Sequence, residues 1–160
     1  VNEIDPRQRL VSVQLDEKTF VRRKPEVEHE RATAIYDLLD DNYFRPLDGG
    51  VGPYSLCLSL ADNRLVFDIL GTDGHVVKDV VLGIIPFRAI VRDYFLICES
   101  YYASIRRSLP SQIEAIDMAR RGLHNEGARL LKERLSDKVE VDMGTARRLF
   151  TLVCVLHIRG

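Results

Sequence analysis

Tryptophan is absent from this chain, methionine occurs twice, and the three cysteines stand singly at positions 57, 98 and 154. Each scarcity removes a class of protein. Cysteines that are odd in number, far apart and without a C-x-x-C pair make a poor disulfide framework and a poor zinc site; they fit reduced thiols in a cytoplasmic core. Long apolar runs are missing too. The longest, LFTLVCVLHI at 149–158, has ten residues, too few to span a bilayer, so no membrane association is expected. The opening VNEIDPRQRL is polar, with no apolar h-region, and no secretory signal is expected from it. An excess of one charge is also lacking: 23 Lys and Arg face 24 Asp and Glu, which argues against the uniform field of a dedicated nucleic-acid binder. No G-x-x-x-x-G-K-[ST] phosphate loop, no G-x-G-x-x-G between strand and helix, no G-x-S-x-G elbow and no RNP-type aromatic strand occurs.

What is present suits an ordinary globular domain. With 160 residues, 46% hydrophobic and 29% charged, the chain is long enough to bury a core without staples, and a single domain over 1–160 is expected, with residues 1–8 flexible. Charge is unevenly spread. Residues 25–42 hold six acids against Arg31 alone, whereas Arg-Arg pairs occur at 106–107, 120–121 and 147–148. Solvated helix faces explain this, or an acidic helix resting on a mildly basic half.

The alternation in LVSVQLD (10–16) predicts a half-buried strand with Val11, Val13 and Leu15 on one face. Pro25 suits the first position of a helix over PEVEHERATAIYDLLDDN, its apolar face marked by Val27, Ala34, Ile35, Leu38 and Leu39. YSLCLSL (54–60) and LVFDIL (65–70) read as a hairpin turning at Asp62-Asn63, and HVVKDVVLGII (75–85) as a third strand. After Pro86 the pattern is helical. A first stripe runs from Phe87 to Ile105; Ser111 with Glu114 matches a capping box; Gly122 is a plausible stop; EGARLLKERL forms a further helix. SDKVEVD is a short, extended connection, and the last segment from Asp142 is a buried helix or, given its valines, a strand. The order predicts an α+β fold: a mostly antiparallel four-stranded sheet, one N-terminal helix, and a C-terminal cluster of three to four helices packed on one face.

The stretch RRGLHNEG (120–127) is the leading candidate site. Its polar residues fit a turn between helices, with Gly122 as stop, Asn125 as cap and Glu126 in the next first turn. That account leaves Arg120, Arg121 and His124 without a role. Arginine forks suit phosphate or carboxylate groups, and an imidazole beside a carboxylate suits proton transfer. His29-Glu30 begins an H-E-x-x-H pattern, but Thr33 stands where the second histidine belongs, so no metal is expected. Cys98 falls on an apolar stripe and reads as a small core residue rather than a nucleophile.

DYFLICESYY (93–102), SQIEAIDMARRGLHNEG (111–127) and VEVDMGTARRLFTLVCVLHIRG (139–160), with PEVEHERATAIYDLL (25–39) and RLVFDI (64–69), resemble uncharacterised protein family 0262 of alphaproteobacteria. The resemblance implies a bacterial cytoplasmic protein and brings no assigned activity, cofactor or catalytic residue. The residues themselves favour a non-enzymatic binding or regulatory module. Its binding residues would be Arg120, Arg121, His124, Asn125 and Arg31, facing a protein partner or weakly bound RNA, with a homodimer possible and no cofactor required. The competing expectation is a small enzyme acting on an anionic substrate, with His124 and Glu126 as proton-transfer pair and His29 contributing. An assembly factor with an exposed apolar patch is the third.

Overall fold

Leu56 and Leu58 on one strand and Leu65, Phe67 and Ile69 on the next are all buried, and they form the inner face of a four-stranded sheet. The computed structural model describes residues 5–16 and 24–157. Its elements run β1 (Leu10–Asp16), α1 (Pro25–Asp40), β2 (Phe44–Pro46), β3 (Tyr54–Ala61), β4 (Arg64–Gly71), β5 (Val76–Gly83), α2 (Ile85–Ile105), α3 (Pro110–Leu135), β6 (Val139–Val141) and α4 (Met143–His157). The fold is α+β. Strand order is β1-β3-β4-β5, with β1 parallel to β3 and the other two pairings antiparallel. A parallel neighbour needs a crossover, which is the topological reason α1 lies between β1 and β3 in the chain.

Local chemistry accounts for the meander. Asp62 and Asn63, at φ of 50° and 61°, both occupy the left-handed region that a two-residue hairpin turn requires. In β1 the alternation breaks once. A register shift between Leu10 and Ser12 places Leu10 and Val13 inside and leaves Val11 43% exposed, against the expectation that Val11 faces inward. A two-stranded sheet of β2 and β6 lies apart from the main one; the extended SDKVEVD segment supplies β6, and β2 was not foreseen.

The final segment is a helix, not a strand. Leu149, Phe150, Leu152 and Val153 of α4 are fully buried. Each contributes about 1.5–3 kcal/mol of transfer free energy, more than enough to override the weak helix propensity of its valines. α4 packs on α1 and α3, and α3 on α2.

Two boundaries differ from expectation. α3 begins at Pro110 with Leu109 as the preceding residue, whose N–H donates to the Gln112 side chain at 3.3 Å; Ser111 is therefore inside the helix and caps nothing. More consequentially, α3 runs unbroken to Leu135 with no stop at Gly122, so the three to four helices expected after the sheet are three. Of the expected flexible N-terminus, residues 1–4 lie outside the described residues; Gln8 is buried and its Nε2 donates to the Gly50 carbonyl at 2.9 Å.

α1 is held at its C-terminal end by polar contacts. Asn42 Oδ1 accepts from the Leu10 N–H at 2.7 Å, while its Nδ2 donates to the Leu10 and Leu38 carbonyls. Arg9 Nη2 donates to the Leu39 carbonyl at 2.7 Å. These bonds satisfy carbonyls that a helix end leaves open, and fix α1 against β1.

Candidate anion-binding cleft

The stretch RRGLHNEG is the interior of α3, not a turn. Neither glycine adopts the positive φ of a helix stop. Gly127 is buried where α3 crosses α4, and a Cβ there would collide with the Phe150 ring. Close packing of the two helices at Gly127 thus offsets the roughly 1 kcal/mol that a mid-helix glycine costs. Asn125 is not a cap either: its Oδ1 accepts from Arg147 Nε of α4 at 2.8 Å.

Being helical, the stretch shows one face, and that face lines a cleft of about 570 Å³. Arg120, Arg121, His124 and Asn125 form the α3 wall; His29, Glu30, Thr33 and Asp37 form the α1 wall; Gly144, Arg147, Arg148 and Thr151 of α4 form the floor. The α4 set follows the i, i+3, i+4, i+7 spacing of a single helical face, and the other two are likewise linked by steps of three and four residues. Tyr94 of α2 closes one end. His29 and His124 therefore line the same cleft from facing helices. Arg31 and Glu126 are not among its lining residues; Glu126 is exposed, since two positions along a helix from His124 is close to the opposite side.

The floor was missed from the sequence, although a signal existed. The triplet Ala-Arg-Arg occurs at 119–121 and again at 146–148, each inside a helix, and both arginines of each copy line the cleft.

His124 is half-buried on the α3 wall. Its ring sits against Tyr94 and Phe150, with centroids 5.4 and 5.3 Å away. Burial, reinforced by the charges of Arg120 and Arg147, lowers its pKa to about 4, so the imidazole is neutral at pH 7. Nε2 lies 2.8 Å from Thr151 Oγ1, and that hydroxyl donates to the Arg147 carbonyl at 3.3 Å. Either partner can donate in the bond between Nε2 and Oγ1, its direction following the imidazole tautomer.

The arginines are braced rather than neutralised across the cleft. Asp117, outside the lining, takes Arg120 Nη2 at 2.6 Å and Arg121 Nη2 at 3.0 Å, both along α3. Burial disfavours the charge of Arg120, but the bonds to Asp117 outweigh it and hold the guanidinium above its ordinary pKa; the group also lies 4.8 Å over the Tyr101 ring. Arg148 Nη1 donates to the Asp41 carbonyl at 2.9 Å, where cations suit a helix C-terminus. Among the described residues neither Arg147 nor Arg148 forms an ion pair with a carboxylate. Two guanidiniums thus stand on the floor of a concave site with donors to spare.

Other sequence candidates are bland. Cys98 is buried on α2 and its thiol is pushed up to about 11 by burial, the opposite of an activated nucleophile. Among the described residues no group of three His, Cys, Asp or Glu side chains is arranged to hold a metal, and no helix is long and apolar enough to cross a membrane.

The model of an uncharacterised protein family, UPF0262, matches residues 7–159. A UPF0262 protein of Rhodospirillum rubrum is 61% identical over 99% of this chain and 98% of its own length. One from Paramagnetospirillum magneticum is 60% identical over 96% and 98%, and one from Mesorhizobium japonicum 58% over 96% of each. No solved structure matches. With the match running through both walls and the floor of the cleft, this chain belongs to the uncharacterised protein family UPF0262.

Proposed function

We propose that this protein is a binding module for a compact anionic ligand, held in the cleft between α1 and α3. The observation that carries the reading is the convergence of Arg120, Arg121, Arg147 and Arg148 on one concave site of about 570 Å³, a size typical of small-molecule pockets. Guanidinium forks match phosphate and carboxylate oxygens in pairs, and among the described residues Arg147 and Arg148 have no carboxylate to satisfy them. A concave site replaces the projecting turn anticipated for a protein or RNA partner, and it favours a small anion over an extended strand. The cytoplasm is the compartment that this reading assigns, supported by three cysteines that stand as free thiols.

The enzymatic reading has weaker support. Glu126, its proposed orienting carboxylate, is outside the cleft, and an imidazole with a pKa near 4 is a feeble base. Isothermal titration with inorganic phosphate tests the binding reading. Millimolar or tighter affinity that falls with rising salt, and is lost in the double variant Arg147→Gln/Arg148→Gln, is the expected result. Equal heats for the native protein and the double variant would overturn it.

A further inference from the structure

The two sides of the cleft differ in chemistry. The α3 wall and the α4 floor present guanidiniums, whereas α1 presents the acceptors Glu30 and Asp37 with the hydroxyl of Thr33 between them in sequence. If those carboxylates served only as counter-charges, they would be ion-paired with the arginines opposite. They are not: every described ion pair of the cleft arginines runs along α3 to Asp117. Asp37 is half-buried and makes no side-chain hydrogen bond or ion pair among the described residues. Glu30 spends one oxygen, Oε1, on the Tyr102 hydroxyl at 3.2 Å, which fixes the carboxylate in place and leaves Oε2 over. A half-buried carboxylate and two guanidiniums, none of them ion-paired among the described residues, line one cleft, an arrangement that suits a ligand of mixed charge.

We infer that the cleft takes a compact zwitterion, its anionic group on Arg147 and Arg148 and a primary ammonium on Asp37, with Glu30 two turns along α1 adding to the negative field of that wall. This rests on the anion-binding reading and narrows it: one ligand bridges the two walls, satisfying both without their touching. An ammonium has three donors and no acceptor, which matches an acceptor wall; a second anion there would be repelled. Neutral His124 adds no positive charge and lets the floor arginines alone define the anionic end.

O-phosphoethanolamine and ethyl phosphate separate the two ends, since they share the phosphate and differ in the ammonium. Calorimetry on the native protein should show O-phosphoethanolamine bound about tenfold more tightly, a preference that one charge-assisted contact supplies. Asp37→Asn should remove the preference by weakening O-phosphoethanolamine, while ethyl phosphate affinity holds or rises as a repelling charge is lost, with circular dichroism showing the same helix content. Glu30→Gln should reduce the preference in part. Equal binding of the two probes to the native protein would overturn the zwitterion inference and leave the anion site standing. A preference that survives in both variants would overturn it as well. Binding of neither probe would remove the anion site and the inference with it.

Discussion

His124 Nε2 and Thr151 Oγ1 face each other at 2.8 Å across the junction of α3 and α4, and this bond holds the imidazole in place inside the cleft. Thr151→Val keeps the shape and removes the partner, leaving an enclosed ring nitrogen unpaired. Unfolding in urea should show a loss of about 1–3 kcal/mol, whereas Thr151→Ser should stay close to the native value. Equal stability of the valine and serine variants would show that the bond contributes nothing.

The same imidazole makes stability depend on pH. Its folded pKa near 4 lies below the ordinary 6.5, so between those values the unfolded chain takes up a proton that the folded chain refuses. The contribution is complete above about pH 6.5 and is lost as the pH falls towards about 4. The full effect is at most about 3 kcal/mol. Carboxylates titrate in the lower part of this window, so the comparison is with His124→Gln, whose stability should fall less steeply between pH 6.5 and 4.5.

Occupancy of the cleft should report on His124 directly. A phosphate on the floor arginines offsets the positive charges that depress the imidazole, so its titration by NMR should shift upward when phosphate is added. The shift should vanish in high salt. An unchanged midpoint at saturating phosphate would place the anion somewhere other than beside Arg147.

The two glycines of α3 should respond oppositely to alanine. Gly122 has open space around the position of a Cβ, so Gly122→Ala should stabilise by roughly 0.5–1 kcal/mol through helix propensity. Gly127→Ala drives a methyl into Phe150 and should destabilise by about 1–3 kcal/mol. Melting temperatures moving in the same direction would refute the packing account of the pair.

Thiol alkylation gives a simple check on burial. Cys57 is half-buried on β3, whereas Cys98 and Cys154 are buried. Iodoacetamide followed by peptide mass mapping should modify Cys57 first, with the other two reacting only on unfolding.

Much of the fold was legible because its signals are local. Alternation in β3 and β4, left-handed turn residues at Asp62-Asn63 and the stripe of Phe87, Ile90, Val91 and Tyr94 all follow from a few neighbouring side chains. The failures share a cause. Gly122 and Asn125 carry the local marks of a helix end, but the helix continues through them into contacts with α4 more than twenty positions away, Asn125 with Arg147 and Gly127 with Phe150. Val11 faces outward because of a register shift with a strand about forty residues later. At the site, the α3 face was found because unexplained arginines and a histidine stood together. Arg147, Arg148 and Thr151 were not, because their relation to His124 exists only once α4 is packed. Glu126, adjacent in sequence to Asn125, was chosen by proximity along the chain and is excluded by the rotation of the helix.

The parallel pairing of β1 with β3 has a consequence for how the cleft comes into being. The β3–β4–β5 meander and the α2–α3 hairpin close short loops and are kinetically cheap, whereas β1 must wait for α1 to cross over before it finds β3. One wall of the cleft rides on that late, non-local step, and the other wall and the floor lie at the end of the chain. Anion affinity should therefore appear only with the final folding phase, making the site a reporter of completed assembly during refolding.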